Sequence, residues 1–223
     1  MQCKPELIVM LTHDDVTVKN ASDIFDNCKD SKAKYWGFKE EGIPHNEMCE
    51  LFSKIKECGK TTVLEVVAYD ENECLKGAQL AHNCRCDILM GTKYYDSVNK
   101  FCMEHSIRYM PFVGDIHDRP SVLEGSVSEI IDEAKALIDK GVYGIDLLAY
   151  RYTGDCTKLI DEFTTEISAP VCIAGSIDCL DKLNIVKNST AWSFTIGGAF
   201  FEHKFGEDIE EQINNVCNYI DEI

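Results

Sequence analysis

No run of 18 apolar residues occurs in this chain, so it offers no candidate for a membrane-spanning helix. No low-complexity stretch or linker-like segment divides its 223 residues, which predicts a single domain over 1–223. Basic residues are scarce: 22 Lys and Arg against 39 Asp and Glu give a net charge of -17. Such a surface repels a nucleic-acid backbone and an anionic bilayer, and neither is expected as a partner. The N-terminus, MQCKPELIVM, has no small-residue cleavage site, and it predicts an untargeted, cytoplasmic protein. The patterns G-x-x-x-x-G-K-[ST], G-x-G-x-x-G and H-E-x-x-H are all missing, which disfavours a nucleotide triphosphatase, a Rossmann oxidoreductase and a zincin. No cofactor and no metal is assigned.

Cysteine is plentiful, with 12 residues, but it follows no regular framework. In a chain of this size without a signal peptide, reduced thiols are expected. Cys84-Arg85-Cys86 reads as two thiols at a helix end and a strand start.

Short apolar runs alternate with helix-length amphipathic segments, the signature of repeated β-α units on a parallel sheet. Strands are predicted over 7–12, 32–39, 61–69, 87–92, 107–113, 143–152, 171–174 and 192–196. Helices are predicted over 16–28, 44–58, 71–83, 94–105, 126–140, 154–167, 178–187 and 208–222. Asp70 stands where a helix cap belongs, and Ser126 with Glu129 has the spacing of a capping box. Eight strands and eight helices predict an α/β fold of the (β/α)8 TIM-barrel type, somewhat below its usual length of about 250 residues. The connection 114–125 is longer than most in such folds and has the size of a functional lid.

The strongest functional signal lies at 170–201. Two apolar runs there end in small residues, Gly175-Ser176 and Gly197-Gly198. Glycine leaves backbone N–H groups open to a ligand, and in a TIM barrel the loops after strands seven and eight commonly hold a phosphate. On Ala174-Gly175-Ser176-Ile177 and Thr195-Ile196-Gly197-Gly198-Ala199 the chain resembles the ribulose-phosphate-binding barrel superfamily. That resemblance implies phosphate binding by Gly175, Ser176, Gly197 and Gly198. It does not extend to one member family. Decarboxylase members carry Asp-x-Lys-x-x-Asp on strand three, where this chain reads Glu65-Val66-Val67-Ala68-Tyr69-Asp70. The paired His and Asp metal ligands of pentose-phosphate epimerases and the strand-seven glutamate of the amino-sugar epimerase are also missing.

Alternation along each strand selects the side chains that face the barrel interior. On strand three Glu65 shares a face with Val63 and Val67, and on strand six Asp146 groups with Leu148 and Tyr150. Lys39, at the C-terminal end of strand two, is the expected partner of both acids. Lys39, Glu65, Asp146 and His13 are the candidate catalytic residues; Lys93, Arg151 and Tyr150 are candidate substrate contacts. Asp14 or Asp15, after His13, reads as a cap of the next helix; His117 and Arg119 of the long loop offer closure over a substrate, though surface placement is the stronger reading. Three functions remain open: an isomerase or epimerase moving a proton on a phosphorylated sugar or related metabolite, a lyase in which Lys39 forms a Schiff base, and a non-catalytic phosphometabolite-binding barrel. Apolar helix faces would support a homodimer.

Overall fold

The computed structural model describes residues 4–222. Residues 1–3 of the segment used for the targeting reading, and residue 223, lie outside the described residues. Eight parallel strands, β1 (Glu6–Met10), β2 (Tyr35–Lys39), β3 (Thr61–Ala68), β4 (Ile88–Thr92), β5 (Arg108–Met110), β6 (Ile145–Leu147), β7 (Val171–Ile173) and β8 (Ser193–Ile196), pair in the order β6-β7-β8-β1-β2-β3-β4-β5. The gap between β5 and β6 is spanned by a Phe112–Asp146 bridge and by hydrogen bonds from Tyr143 N to Tyr109 O and from Asp146 N to Pro111 O. The sheet therefore closes into the expected TIM barrel, with the C-terminal ends of all strands on one face.

The helices are α1 (Ala21–Cys28), α2 (His45–Glu57), α3 (Glu71–Asn83), α4 (Asp96–Glu104), α5 (Val127–Asp139), α6 (Cys156–Glu166), α7 (Leu180–Asn188), the one-turn α8 (Gly198–Phe201) and α9 (Ile209–Asp221). Their starts follow the sequence signals where a short polar side chain meets the first orphan N–H groups. Asp70 accepts from Glu73 N, Asp155 from Thr157 N and Lys158 N, and Ser126 with Glu129 completes a capping box.

The barrel interior has two chemically distinct layers. Ile8, Met10, Val63, Ile88, Met90, Met110 and Cys172 form the lower, apolar one, backed by Tyr35, Tyr143 and Trp192. Above it, Lys39 stands beside Glu65 in the β2–β3 register and both line the cavity, whereas Asp146 is level with Cys172 of the lower layer in the β6–β7 register. A second apolar cluster fills the space between the sheet and the surrounding helices.

Several sequence expectations are corrected here. The segment before α1 is not helical from Val16. Thr12–His13 and Val16–Thr17 pair as an antiparallel hairpin, with Asp14 and Asp15 at its tip at φ 49° and 66°. That turn needs two left-handed residues, a conformation Asp tolerates better than most. The long connection is likewise a hairpin, Asp115–His117 paired with Val122–Glu124. Strand six stops at Leu147, and Ala149–Arg151 forms a 3-10 turn that breaks the alternation on which Tyr150 was placed inside the barrel. Cysteine is not uniformly reduced, since Cys49 of α2 is bonded to Cys84 after α3.

Candidate active site

A cavity of about 590 Å³ opens at the C-terminal face of the barrel. Lys39, Glu65, His13, Arg151, Gly175, Ser176, Gly197 and Gly198 all line it. The sequence reading named each of these. Asp15 and Arg119 line it too, and were not among the candidates.

Lys39 is the centre of the charged layer. Its Nζ hydrogen-bonds Asp15 Oδ1 and lies 3.8 Å from Glu65 Oε1, and its side chain is only 12% exposed. Burial alone would lower the lysine pKa, but the Glu65 charge and the hydrogen bond and charge of Asp15 outweigh it and hold Lys39 above its ordinary value. Asp15 reaches Lys39 because the hairpin is tied to β2. Thr17 Oγ1 donates to Lys39 O at 2.7 Å and accepts from Lys39 N at 3.0 Å, while Thr17 N donates to Glu41 O. Reading Asp15 as a helix cap missed this, because the signal lies in the backbone turn.

Asp146 does not pair with Lys39. It is 1% exposed, beneath the cavity floor, and neither carboxyl oxygen has a hydrogen-bond partner among the described residues. Burial raises its pKa well above the ordinary Asp range, the Glu65 carboxylate adds to this, and Lys39 offsets it only in part. Each of these effects but the last favours the protonated carboxyl over the carboxylate.

The two small-residue loops stand together across the cavity. Gly175 has φ 94°, and a Cβ there would lie 3.0 Å from Arg151 Cγ and 3.3 Å from Arg151 N. Glycine is what permits the 3-10 turn carrying Arg151 to lie against this loop. A Cβ on Gly197 would meet Thr12 Oγ1 at 2.7 Å, so the second loop is packed against the start of the hairpin. Gly198 opens α8, where the first amides lack intrahelical acceptors. His13 stands beside this loop, with its Cδ2 3.7 Å from where a Gly198 Cβ would be and its ring 5.5 Å from that of Phe201.

Three cations line the cavity, and two are already matched. Lys39 has Asp15 and Glu65, and Arg119 has Glu40, Glu41 and the carbonyl of Val67. Arg151 is half-buried and has no carboxylate partner among the described residues, beside the Gly175 loop of a strongly acidic chain. The remaining candidates are not brought to the cavity. Lys93 is exposed on the β4–α4 connection, and Tyr150 packs outward, donating from its hydroxyl to Lys182 O at 2.8 Å. Over the cavity, the 115–124 hairpin is held down by Arg119 and by the Tyr69 hydroxyl, which donates to Asp118 O and lies 2.7 Å from Ser121 Oγ. Among the described residues, no group of three or more His, Cys, Asp or Glu is arranged to hold a metal ion.

No protein-family model matches the sequence, and no curated protein matches it. Solved structures do. Orotidine 5'-phosphate decarboxylase from Pyrococcus horikoshii OT3 superposes with a TM-score of 0.72 at 13% identity, over 97% of this chain and 100% of that one. Thiamine phosphate pyrophosphorylase from Pyrococcus furiosus gives 0.67 at 14% identity, over 97% and 95%. N-(5'-phosphoribosyl)anthranilate isomerase from Pyrococcus furiosus gives 0.67 at 10% identity, over 96% and 99%. The shared fold is the (β/α)8 barrel. At these identities the likeness carries the architecture of this barrel and not its reaction. The three neighbours are enzymes named for phosphorylated compounds, yet their chemistries differ from one another.

Proposed function

We propose that this barrel is a metabolic enzyme that moves a proton on a small phosphorylated sugar or related metabolite, an isomerase or epimerase. The observation that carries the reading is the Asp15–Lys39–Glu65 cluster, which faces the same cavity as the Gly175, Gly197 and Arg151 side. Gly175, Ser176, Gly197 and Gly198 supply backbone donors for a phosphate, and Arg151 supplies the uncommitted charge. The phosphate would anchor the substrate so that its carbonyl end lies at Lys39. Binding energy from a non-reacting group then orients the reacting carbon.

In the reaction, the Glu65 carboxylate takes a proton from the carbon next to the carbonyl. The C–H electron pair becomes the carbon–carbon double bond of an enediolate, and the carbonyl electrons move to oxygen, where the Lys39 ammonium meets the new negative charge. Returning the proton to the other carbon, with the hydroxyl proton on the first carbon's oxygen passing to the former carbonyl oxygen, gives an isomer; protonation of the first carbon on its opposite face, by an acid other than Glu65, gives an epimer. Asp15 keeps Lys39 charged and in place. The lyase alternative requires a neutral lysine nucleophile, and two carboxylates stabilising the ammonium favour proton transfer over it.

The test is solvent exchange. Aldose and ketose phosphates incubated with the protein in deuterium oxide should lose the proton next to the carbonyl, read by proton NMR, and their unphosphorylated parents should not. Lys39→Met and Glu65→Gln should each slow exchange by about 10²–10⁴-fold. Full exchange in Lys39→Met would remove the mechanism, and tight binding with no exchange for any ligand would make this a binding barrel.

A further inference from the structure

Tyr150 faces away from the cavity, yet it belongs to the turn that presents Arg151. Its hydroxyl donates to Lys182 O at 2.8 Å, and the Lys182 ammonium lies 5.4 Å from the centre of the Tyr150 ring. That ammonium also donates to Ser176 O at 2.6 Å and pairs with Asp178 Oδ1 at 2.9 Å. From its place in α7, Lys182 therefore touches both the loop after β7 and the turn after β6. The loop needs holding. Gly175 and Ser176 both have positive φ, at 94° and 22°, and Ser176 is not a glycine. A serine in that conformation is strained and persists where its surroundings over-determine it. Burial also keeps the Tyr150 phenol protonated by raising its pKa, so it remains a donor.

We propose that Lys182 and Tyr150 are positioning residues for the phosphate site, forming a bracket that fixes the Gly175-Ser176 loop and Arg151 in one register. Neither residue touches the phosphate; they act through Ser176 and Arg151. The proposal rests on the phosphate reading above and adds to it the residues that keep the two halves of that site aligned. Asp178 completes the bracket by neutralising the Lys182 charge, which leaves Arg151 as the cation offered to the ligand.

The experiment is calorimetric titration of the full chain with inorganic phosphate and with glycerol phosphate at low ionic strength, with the thermal midpoint of each variant measured alongside. Lys182→Met should weaken phosphate binding by about tenfold, the effect expected for losing a hydrogen bond to a charged group. Lys182→Arg should retain most of the affinity, because it keeps the charge and a donor. Tyr150→Phe should weaken binding in the same direction, and combining it with Lys182→Met should add little, as expected for residues acting in one unit. Arg151→Gln is the control that reports the site itself and should abolish binding. Unchanged phosphate affinity in Lys182→Met, with Arg151→Gln impaired, overturns the bracket while leaving the phosphate site standing. So does a loss that the arginine variant fails to restore. If Lys182→Met does not fold, wild-type affinity in Tyr150→Phe overturns the proposal. Absence of phosphate binding in the wild type would overturn the phosphate reading and this one with it.

Discussion

Asp146 is a carboxyl group 1% exposed, with no hydrogen-bond partner for either oxygen among the described residues, whereas Lys39 and Glu65 above it are paired. Its folded pKa lies well above the ordinary Asp value of 3.8, so the folded chain keeps a proton that the unfolded chain releases. The stability linked to that proton is fully present below the unfolded value and is lost as pH rises toward the folded one. Asp146→Asn should therefore flatten the fall of the thermal midpoint as pH rises above the unfolded Asp value, and melt above the wild type well past it. An unchanged slope would mean that Asp146 is ionised and partnered. Strand alternation made Lys39 and Glu65 legible, because both lie on regular strands. The same rule placed Asp146 on the right face but not at the right depth. It failed for Tyr150, where β6 had already ended.

Elements explain the residues that were missed. Asp15 and Arg119 come to the cavity on two hairpins, one at 12–17 and one at 115–124, and neither has the long alternating strands by which a hairpin is read from sequence. Their pairing runs over two or three residues per strand and is held by tertiary bonds, from Thr17 to β2 and from Tyr69 to the second hairpin. The Cys49–Cys84 bond was equally hidden, since a 35-residue separation between a cysteine on α2 and one just after α3 has no local signature. Closing a loop of that length stabilises a fold by roughly 3–4 kcal/mol in the chain-entropy account. Reduction, or Cys49→Ser, should lower the thermal midpoint by roughly 6–16 °C for a chain of this size. A thiol titration of the unfolded chain should find two fewer thiols without reductant than with it. Equal titres would mean that the bridge does not form.

At the scale of the whole molecule, a charge of -17 works against compaction and against an anionic ligand. Salt screens the first effect over about 10 Å at 0.1 M. The thermal midpoint should accordingly rise as sodium chloride is increased from about 10 to 150 mM, and a fall would show that the surface ion pairs matter more than the net charge. The cavity resolves the second effect locally. Lys39 and Arg119 are matched by carboxylates from neighbouring elements, and Arg151 has no carboxylate partner among the described residues. Net charge, a property of composition, thus says little about a site whose balance is set by which charges are brought within 4 Å of each other.

The sequence by itself determined the barrel, because the alternation of β-branched runs with amphipathic segments and helix caps is local information that each unit carries separately. It also determined the two small-residue loops and the Lys39–Glu65 pair, which follow from glycine chemistry and strand periodicity. The tertiary structure alone decided that Asp15 completes that pair, that Asp146 is buried below it without a hydrogen-bond partner among the described residues, and that the Tyr150 hydroxyl meets Lys182 O. Each of these depends on a turn that reverses or ends a strand and on a contact between elements far apart in sequence. A pattern of period two or 3.6 carries no information about either.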